Sequence, residues 1–294
     1  MNVIYVIILD AQLYYIKDAV MKILCPTDLS QPALNAMEYS ARLAQQLKAK
    51  LTFLNVQKMP LGEGVSLFAG GERESVKMTN KYSEILEDQC RETALKFKIS
   101  CDQIVSNTLG SVEKSIAEVS DEFDLIVVGT NGANNIFEFY FGTHSYNITK
   151  NAETPVLIVP ENCEFKAISE IYLASDYTSE EQINLNQLDR IFKVFNPRYE
   201  IVHISVVDSE LSKTVYHSFR NSIEDEIDFV HRVSFGRLIE KNIISGIKTL
   251  IDTNKMDMLV VSFQKHGPVY KLFHKNLVKE ISAYTTVPLF IFQS

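Results

Sequence analysis

The sequence predicts an α/β fold in which two doubly wound parallel sheets follow one another along the chain. Short apolar runs rich in β-branched residues, typical of buried parallel strands, alternate with amphipathic segments of helical period. The 294 residues exceed one typical domain and suit two of about 140 residues each. We therefore expect the alternation β-α-β-α-β-α-β-α-β to occur once in each half.

An internal repeat supports the division into halves. Residues 124–129, Asp-Leu-Ile-Val-Val-Gly, align with residues 257–262, Asp-Met-Leu-Val-Val-Ser, at an offset of 133. The same offset carries Pro155 onto Pro288. Nearer the start of each half, an offset of 148 places Asp28 on Asp176 and Asn55 on His203. Two copies of one sheet design are the simplest reading of this self-similarity.

The first half opens with a predicted strand at residues 21–26, followed by a helix. Ser30 is the expected N-cap of that helix, and Pro32 lies in its first turn, where a missing N–H is tolerated. The apolar residues that recur at helical spacing, and that we expect to face the core, are Leu34, Met37, Ala41 and Ala44.

Two segments fall outside this pattern. Residues 57–80 contain Pro60 and four glycines, which predict an irregular connection of the kind that often overhangs a ligand site as a lid.

Residues 1–20 precede the first strand, and their apolar start follows no basic residue and is too short to span a bilayer. We interpret them as an upstream extension, with Met21 as an alternative start and a membrane anchor as the less favoured reading.

The segment with the most functional information combines three glycines with two hydroxyl side chains. Gly129-Thr-Asn-Gly132 is followed, after nine residues, by Gly142-Thr143-His144-Ser145. Because it follows the apolar run 125–128, its first glycine is expected at the carboxyl end of a buried strand, where open α/β sheets bind ligands. Glycine lets backbone approach a bound group closely, and Thr143 and Ser145 would open a helix whose free N–H groups suit a phosphate. A tight strand-to-helix turn without a ligand is the alternative.

The spacing Gly-x2-Gly-x9-Gly-(Ser/Thr) resembles that of the universal stress protein family in its ATP-binding branch. Lys22-Ile-Leu-Cys-Pro-Thr-Asp28-Leu-Ser30 resembles the family's first strand with its terminal Asp, and residues 50–56 resemble its second strand. The resemblance covers residues 21–160 closely and residues 168–294 more loosely. It implies two universal stress domains, each with an adenine nucleotide alpha hydrolase-like, Rossmann-like sheet.

The resemblance also implies a ligand, ATP or a related adenine nucleotide, with Mg²⁺ held through the phosphates where it is present. Ala133 stands where the family often has a cationic residue, so this chain departs from the pattern at that position. The residues that match the family's base and ribose contacts are Pro26, Thr27, Asp28 and Val56. The residues that match its phosphate contacts are Gly129, Gly132, Gly142, Thr143, His144 and Ser145.

The second half lacks the glycine loop. The offset of 133 replaces the three glycines by Ser262, Lys265 and Lys275, and it replaces Thr143 by Asn276. Each replaced glycine gains a Cβ where backbone would lie against phosphate. Residues 168–294 therefore resemble a degenerate universal stress domain, and we expect them to bind no nucleotide by this route.

Composition limits the partners and the location. The net charge is −8 and neither half carries a Lys/Arg cluster, which argues against a nucleic acid as the binding partner. No segment of the sequence predicts a membrane span. The four cysteines show no CxxC spacing, so they predict reduced, mostly buried thiols in a cytoplasmic protein without a metal site. These cysteines are Cys25, Cys90, Cys101 and Cys163.

No catalytic residues are predicted, because Gly-x-Ser-x-Gly, Gly-x4-Gly-Lys-(Ser/Thr) and His-Glu-x2-His motifs are all missing from the sequence. His203 is interpreted as structural. His266 and His274 lie among lysines and predict a solvated face, with an anion site as the alternative. A nucleotide-binding regulatory stress protein is the favoured function. A slow ATPase using the same site and a nucleotide-independent interaction scaffold are the alternatives.

Each half ends in a short apolar strand, at residues 155–159 and 288–292. A terminal strand at a sheet edge presents unpaired N–H and C=O groups that favour pairing with another edge. The connection at about residues 160–169 is long enough to bring the two edges together. We expect antiparallel pairing into an internal pseudo-dimer, to which homodimerisation with a second chain could be added.

Overall fold

In the part of the chain that the structure describes, ten strands form one sheet with helices on both faces. The computed structural model describes residues 20–59, 71–130, 143–175, 180–207, 210–253, 255–263, 280–281 and 284–293. The predicted α/β class with parallel sheets is confirmed. The predictions for residues 1–19, the middle of the 57–80 stretch, Gly132, Ala133, Gly142, Asp176, Lys265, His266, His274, Lys275 and Asn276 lie outside the described residues.

The first half follows the predicted alternation of strands and helices, and its five strands are mutually parallel in the order β3-β2-β1-β4-β5. Its elements are β1 Lys22–Pro26, α1 Gln31–Leu47, β2 Lys50–Lys58, α2 Gly71–Phe97, β3 Cys101–Thr108, α3 Val112–Ser120, β4 Leu125–Thr130, α4 Thr143–Asn151 and β5 Val156–Pro160.

The second half repeats this order as β8-β7-β6-β9-β10, again with parallel neighbours. Its elements are β6 Glu170–Ser175, α5 Glu180–Phe192, β7 Arg198–Ser205, α6 Glu210–Glu226, β8 Val233–Ile239, α7 Ile243–Asp252, β9 Met258–Phe263 and β10 Leu289–Gln293. The repeat seen in the sequence is therefore a repeat of topology.

The two halves meet through their last strands, as the sequence predicted. β5 and β10 pair antiparallel, with Leu157 opposite Phe290. The connection after β5 adds contacts between the halves, because the Phe165 ring lies against Tyr39 of α1, with centroids 5.1 Å apart, and against Phe195 after α5, at 6.3 Å. The antiparallel junction makes one continuous sheet of two parallel ones.

Both faces of the sheet carry an apolar layer that crosses this junction. On one face Leu157 and Phe290 belong to a layer that α1, α2, α5 and α6 cover, and Ile158 and Leu289 belong to the opposite layer, covered by α3, α4 and α7. All four side chains are fully buried. A core that continues across the junction couples the stability of the two halves.

Three details of the first half differ from the prediction. Residues 57–80 are not irregular throughout, because β2 continues to Lys58 and α2 begins at Gly71. Ser30 occupies the N-cap position of α1, but its side chain accepts no capping hydrogen bond. Leu34, expected in the core, is 38% exposed, whereas Met37, Ala41 and Ala44 are buried as predicted.

The equivalence of the halves extends to single hydrogen bonds. Asp124, just before β4, accepts the Lys22 N–H at 2.9 Å, and Asp257, just before β9, accepts the Glu170 N–H at 3.0 Å. Asp257 also accepts from the Ser169 N–H and hydroxyl and forms an ion pair with Lys166 at 2.8 Å. Burial alone would raise the pKa of Asp257, but the bonds from Lys166, Ser169 and Glu170 outweigh burial and hold that pKa below its ordinary value.

We expect Asp257→Asn to lower the free energy of unfolding by about 1–2 kcal/mol at pH 7, because it removes charge-assisted hydrogen bonds. A carboxyl whose pKa is depressed by folding stabilises the protein above its ordinary pKa, roughly 4, and loses that contribution as the pH falls through the folded value. Urea denaturation at pH 7 and at pH 3 should therefore show the difference between variant and wild type shrinking in acid. Asp124→Asn is the matched control with a smaller expected loss, and a pH-independent difference for Asp257→Asn would contradict the assignment.

Candidate functional site

The candidate site lies at the carboxyl ends of β1 and β4. These two strands are neighbours in the sheet, but the chain leaves β1 towards β2 and leaves β4 towards β5. The connections therefore diverge, with α1 covering one face and α4 the other. A crevice opens at such a topological switch point, and this is where open α/β sheets bind ligands.

The turn after β1 is held by its own side chains. The hydroxyl of buried Thr27 accepts the Leu29 N–H at 3.0 Å, and Asp28 Oδ1 accepts the Ser30 N–H at 3.0 Å. Leu29 has a φ of 64°, a left-handed conformation that non-glycine residues rarely adopt. Strained backbone of this kind is concentrated at functional sites. The turn fixes Asp28 at the end of β1.

Asp28 is available for a ligand. Its side chain is exposed, and in the described part of the chain Oδ2 makes no hydrogen bond. The backbone under it is rigid, because Asn55 of β2 donates from Nδ2 to the Thr27 carbonyl at 2.7 Å while the Thr27 N–H donates to Leu54 at 2.8 Å. Val56 continues β2 and is half-buried.

The end of β4 is shaped by helix packing. A Cβ added to Gly129 would lie 2.2 Å from the carbonyl oxygen of Pro32 in the first turn of α1. The hydroxyl of buried Ser145 donates to the Gly129 carbonyl at 3.0 Å, which ties the first turn of α4 to the end of β4. The sequence suggested phosphate contacts for both residues, and the structure gives each a packing role that the sequence did not reveal.

Thr130, which the sequence analysis did not select, is the last residue of β4. It is only 4% exposed, and its hydroxyl oxygen has no hydrogen-bond partner among the described residues. Strand alternation places it on the same face as Ile126 and Val128, the face that α4 covers. No sequence motif would have singled it out.

The structure describes only some of the remaining residues that the sequence predicted for the site. Pro26 is the buried last residue of β1. Thr143 begins α4 and His144 follows it, but their side chains, like Gly132 and Gly142, lie outside the described residues. Pro26, Thr27, Asp28, Gly129 and Ser145 are therefore the predicted residues that the structure brings to the carboxyl ends of β1 and β4.

The equivalent position in the second half keeps the scaffold. His203 Nδ1 donates to the Ser175 carbonyl at 2.9 Å, in the place of the bond from Asn55 to Thr27. This contact agrees with the structural role predicted for His203. The exposed side chains just after β7 are Val206 and Val207, 56% and 64% exposed, where the first half has Lys58 and Met59.

A parallel sheet in the order β3-β2-β1-β4-β5, with its crevice between β1 and β4, defines the doubly wound class of ligand-binding α/β proteins. Residues 20–160 match the Universal stress protein family. The first half is therefore similar to universal stress protein domains, as the glycine spacing suggested.

Several similar proteins are named universal stress proteins. A universal stress protein of Methanocaldococcus jannaschii is 29% identical over 169 residues, which cover 52% of this chain and 95% of that protein. The crystal structure of a universal stress protein from Archaeoglobus fulgidus superposes with a TM-score of 0.72 at 16% identity, covering 92% of this chain and 98% of that one. A putative universal stress protein from Pseudomonas aeruginosa reaches 0.55 at 12% identity, covering 94% of each chain. At these identities the two structures show the shared fold alone.

No helix in the described ranges combines the length and the apolar character that crossing a bilayer requires.

Proposed function

We propose that the protein is a tandem universal stress protein that binds one adenine nucleotide, ATP, in its first half and none in its second. The observation that carries the proposal is the topological switch point at the ends of β1 and β4, where open α/β sheets form a ligand crevice. There Asp28 is exposed at the end of β1 and Oδ2 makes no hydrogen bond to a described residue, Thr130 lies buried at the end of β4, and α4 begins nearby.

Each part of the crevice suits one part of the nucleotide. A carboxylate oxygen accepts hydrogen bonds from ribose hydroxyls or an exocyclic amine, so Asp28 would hold the ribose or base beside Pro26, Thr27 and Val56. The first turn of a helix has N–H groups without partners inside the helix and the positive end of the helix dipole, so the amino end of α4 suits the phosphates. Gly132, Gly142, Thr143 and His144 would complete the phosphate contacts. Gly129 and Ser145 act by holding β4, α1 and α4 in place.

The nucleotide would act as a regulatory switch. Hydrolysis needs a positioned water and a group to orient it, and the sequence offers no residue with that role. A bound ligand shifts a conformational equilibrium only by its difference in affinity for the two states. The segment between β2 and α2 adjoins the crevice in sequence, and we propose it as the responding element.

Isothermal titration of the full chain with ATP and Mg²⁺ should give a stoichiometry near one per chain. Gly132→Lys, which copies the residue of the second half, should weaken binding at least about 100-fold, because it removes close backbone approach to the phosphates. The reciprocal variant Lys265→Gly is the control and should leave both stoichiometry and affinity unchanged. A stoichiometry near two would refute the asymmetry, and absence of binding would favour the interaction scaffold.

Asp28→Asn separates the charge of Asp28 from its role in the turn, since the amide oxygen can still accept the Ser30 N–H. We expect an affinity for ATP about tenfold lower, with an unchanged melting temperature of the free protein.

Steady ATP turnover faster than about one per second would move the protein into the enzyme class.

A further inference from the structure

Two cysteines of the first half lie almost in contact. Cys90 is on α2, Cys101 is the first residue of β3, and their Sγ atoms are 3.1 Å apart. A disulfide requires about 2.05 Å between the sulfurs. A shift of roughly 1 Å, within the reach of a side-chain rotation, would close the remaining gap. The sequence predicted reduced, mostly buried thiols, and it gave no sign that this pair is adjacent.

The pair borders a pocket that small molecules can enter. The pocket has a volume of about 720 Å³ and lies at the amino ends of β1, β2 and β3, away from the crevice between β1 and β4. Lys22, Lys50 and Arg91 line it together with both cysteines. Lys50 forms an ion pair with Asp102, and Glu87 and Glu122 add negative charge to the same wall.

The two sulfurs are chemically different. The Cys101 S–H donates to Cys90, and this hydrogen bond lowers the pKa of the Cys90 thiol against the opposing effect of burial. The same hydrogen bond, followed by burial, raises the pKa of Cys101. The direction of this hydrogen bond favours Cys90 as the first thiol to be oxidised and Cys101 as the thiol that resolves it.

The other two cysteines provide internal controls. Cys25 is fully buried, and burial raises the pKa of its thiol to about 12. Burial also raises the pKa of Cys163, to about 11. Thiols held protonated in apolar surroundings are inert towards oxidants. Neither cysteine lines the pocket.

We propose that Cys90 and Cys101 form a reversible dithiol–disulfide pair that hydrogen peroxide oxidises through the adjacent pocket. The Cys90 thiolate attacks one peroxide oxygen, the O–O bond breaks, and the departing hydroxide takes a proton to become water. Cys101 then attacks the sulfur of the resulting sulfenic acid, the S–O bond breaks, and hydroxide leaves with the Cys101 proton as a second water. One dithiol and one peroxide thus give one disulfide and two waters.

The bond would fasten the carboxyl-terminal part of α2 to the start of β3. The two residues are eleven positions apart, so the closed loop contains the end of α2 and the turn at Lys98. A cross-link over a short loop stabilises the folded state by restricting the unfolded chain. We expect the oxidised protein to melt about 5 °C above the reduced protein.

Thiol counting on the full chain tests the proposal. Reduced protein should show four reactive thiols in denaturant and two after hydrogen peroxide, with a mass loss of two hydrogens and full recovery on treatment with dithiothreitol. Peptide mapping should find Cys90 linked to Cys101 within one chain. A +32 Da sulfinic product at Cys90, a disulfide between chains, or four remaining thiols would overturn the proposal.

Variants locate the reactive pair. The double variant Cys25→Ser, Cys163→Ser should still lose two thiols to peroxide, whereas Cys90→Ser and Cys101→Ser should each form no disulfide. Cys101→Ser should instead accumulate a sulfenic acid at Cys90, detectable by dimedone labelling. Labelling at Cys101 in Cys90→Ser with equal speed would refute the assignment of Cys90 as nucleophile. The wild-type peptide map remains decisive if a serine variant fails to fold.

Discussion

Gly129→Ala is expected to lower the free energy of unfolding by about 3 kcal/mol, although it adds only one methyl group. The new Cβ would lie 2.2 Å from the Pro32 carbonyl oxygen and 2.6 Å from its carbonyl carbon. Both atoms belong to backbone, which cannot rotate away as a flexible side chain can. The first turn of α1 or the end of β4 must move, and equilibrium urea denaturation followed by circular dichroism measures the cost.

Gly110→Ala is the matched control. Its Cβ would meet only the Thr108 hydroxyl, at an ordinary contact distance of 3.6 Å, so we expect a change within about 0.5 kcal/mol. Equal effects of the two substitutions would show that the close packing of α1 on β4 is not what requires glycine at position 129. Because the same two elements border the proposed nucleotide site, Gly129→Ala should also weaken the ATP binding that we propose.

Phe290→Ala should lower the free energy of unfolding by about 3–5 kcal/mol, the range for loss of a buried aromatic side chain. Phe290 is fully buried, contacts the Phe192 ring with centroids 5.6 Å apart, and lies opposite Leu157 across the junction of the halves. The apolar layer around it is continuous between the halves. We therefore expect one unfolding transition for the whole chain, in both variant and wild type.

Leu95→Ala is the control for that substitution, since Leu95 is 75% exposed on α2 and its loss should change stability by less than about 0.5 kcal/mol. Denaturation followed by circular dichroism and by tyrosine fluorescence should give coincident midpoints. Two separate transitions, with only one shifted by Phe290→Ala, would show that the halves unfold independently.

The sequence predicted those parts of the fold that are determined by residues close together in the chain. The run at 125–128 became β4, and the sequence aligned Asp124 with Asp257. In the structure each of these carboxylates accepts a backbone N–H at the start of the neighbouring strand. The start of α2 was missed, because Gly70 and Gly71 indicate a break when taken alone. The apolar residues further along the helix, such as buried Leu86, fix it against the sheet.

Contacts between distant residues account for what the sequence missed at the site. Gly129 meets Pro32, and the hydroxyl of Ser145 reaches back to Gly129, so both sides of the glycine pattern have packing roles. The hydroxyl of Thr130 is notable only because folding buries it. Glycine spacing indicates where a ligand would bind, but it does not distinguish residues that contact the ligand from residues that hold the site together.

Because β5 and β10 pair antiparallel, the strands of the two halves run in opposite directions. One end of the sheet therefore carries the carboxyl ends of the first five strands beside the amino ends of the last five. The opposite end of the sheet carries the amino ends of the first five strands beside the carboxyl ends of the last five. A partner protein bound at either end of the strands would contact the carboxyl ends of one half and the amino ends of the other half at the same time.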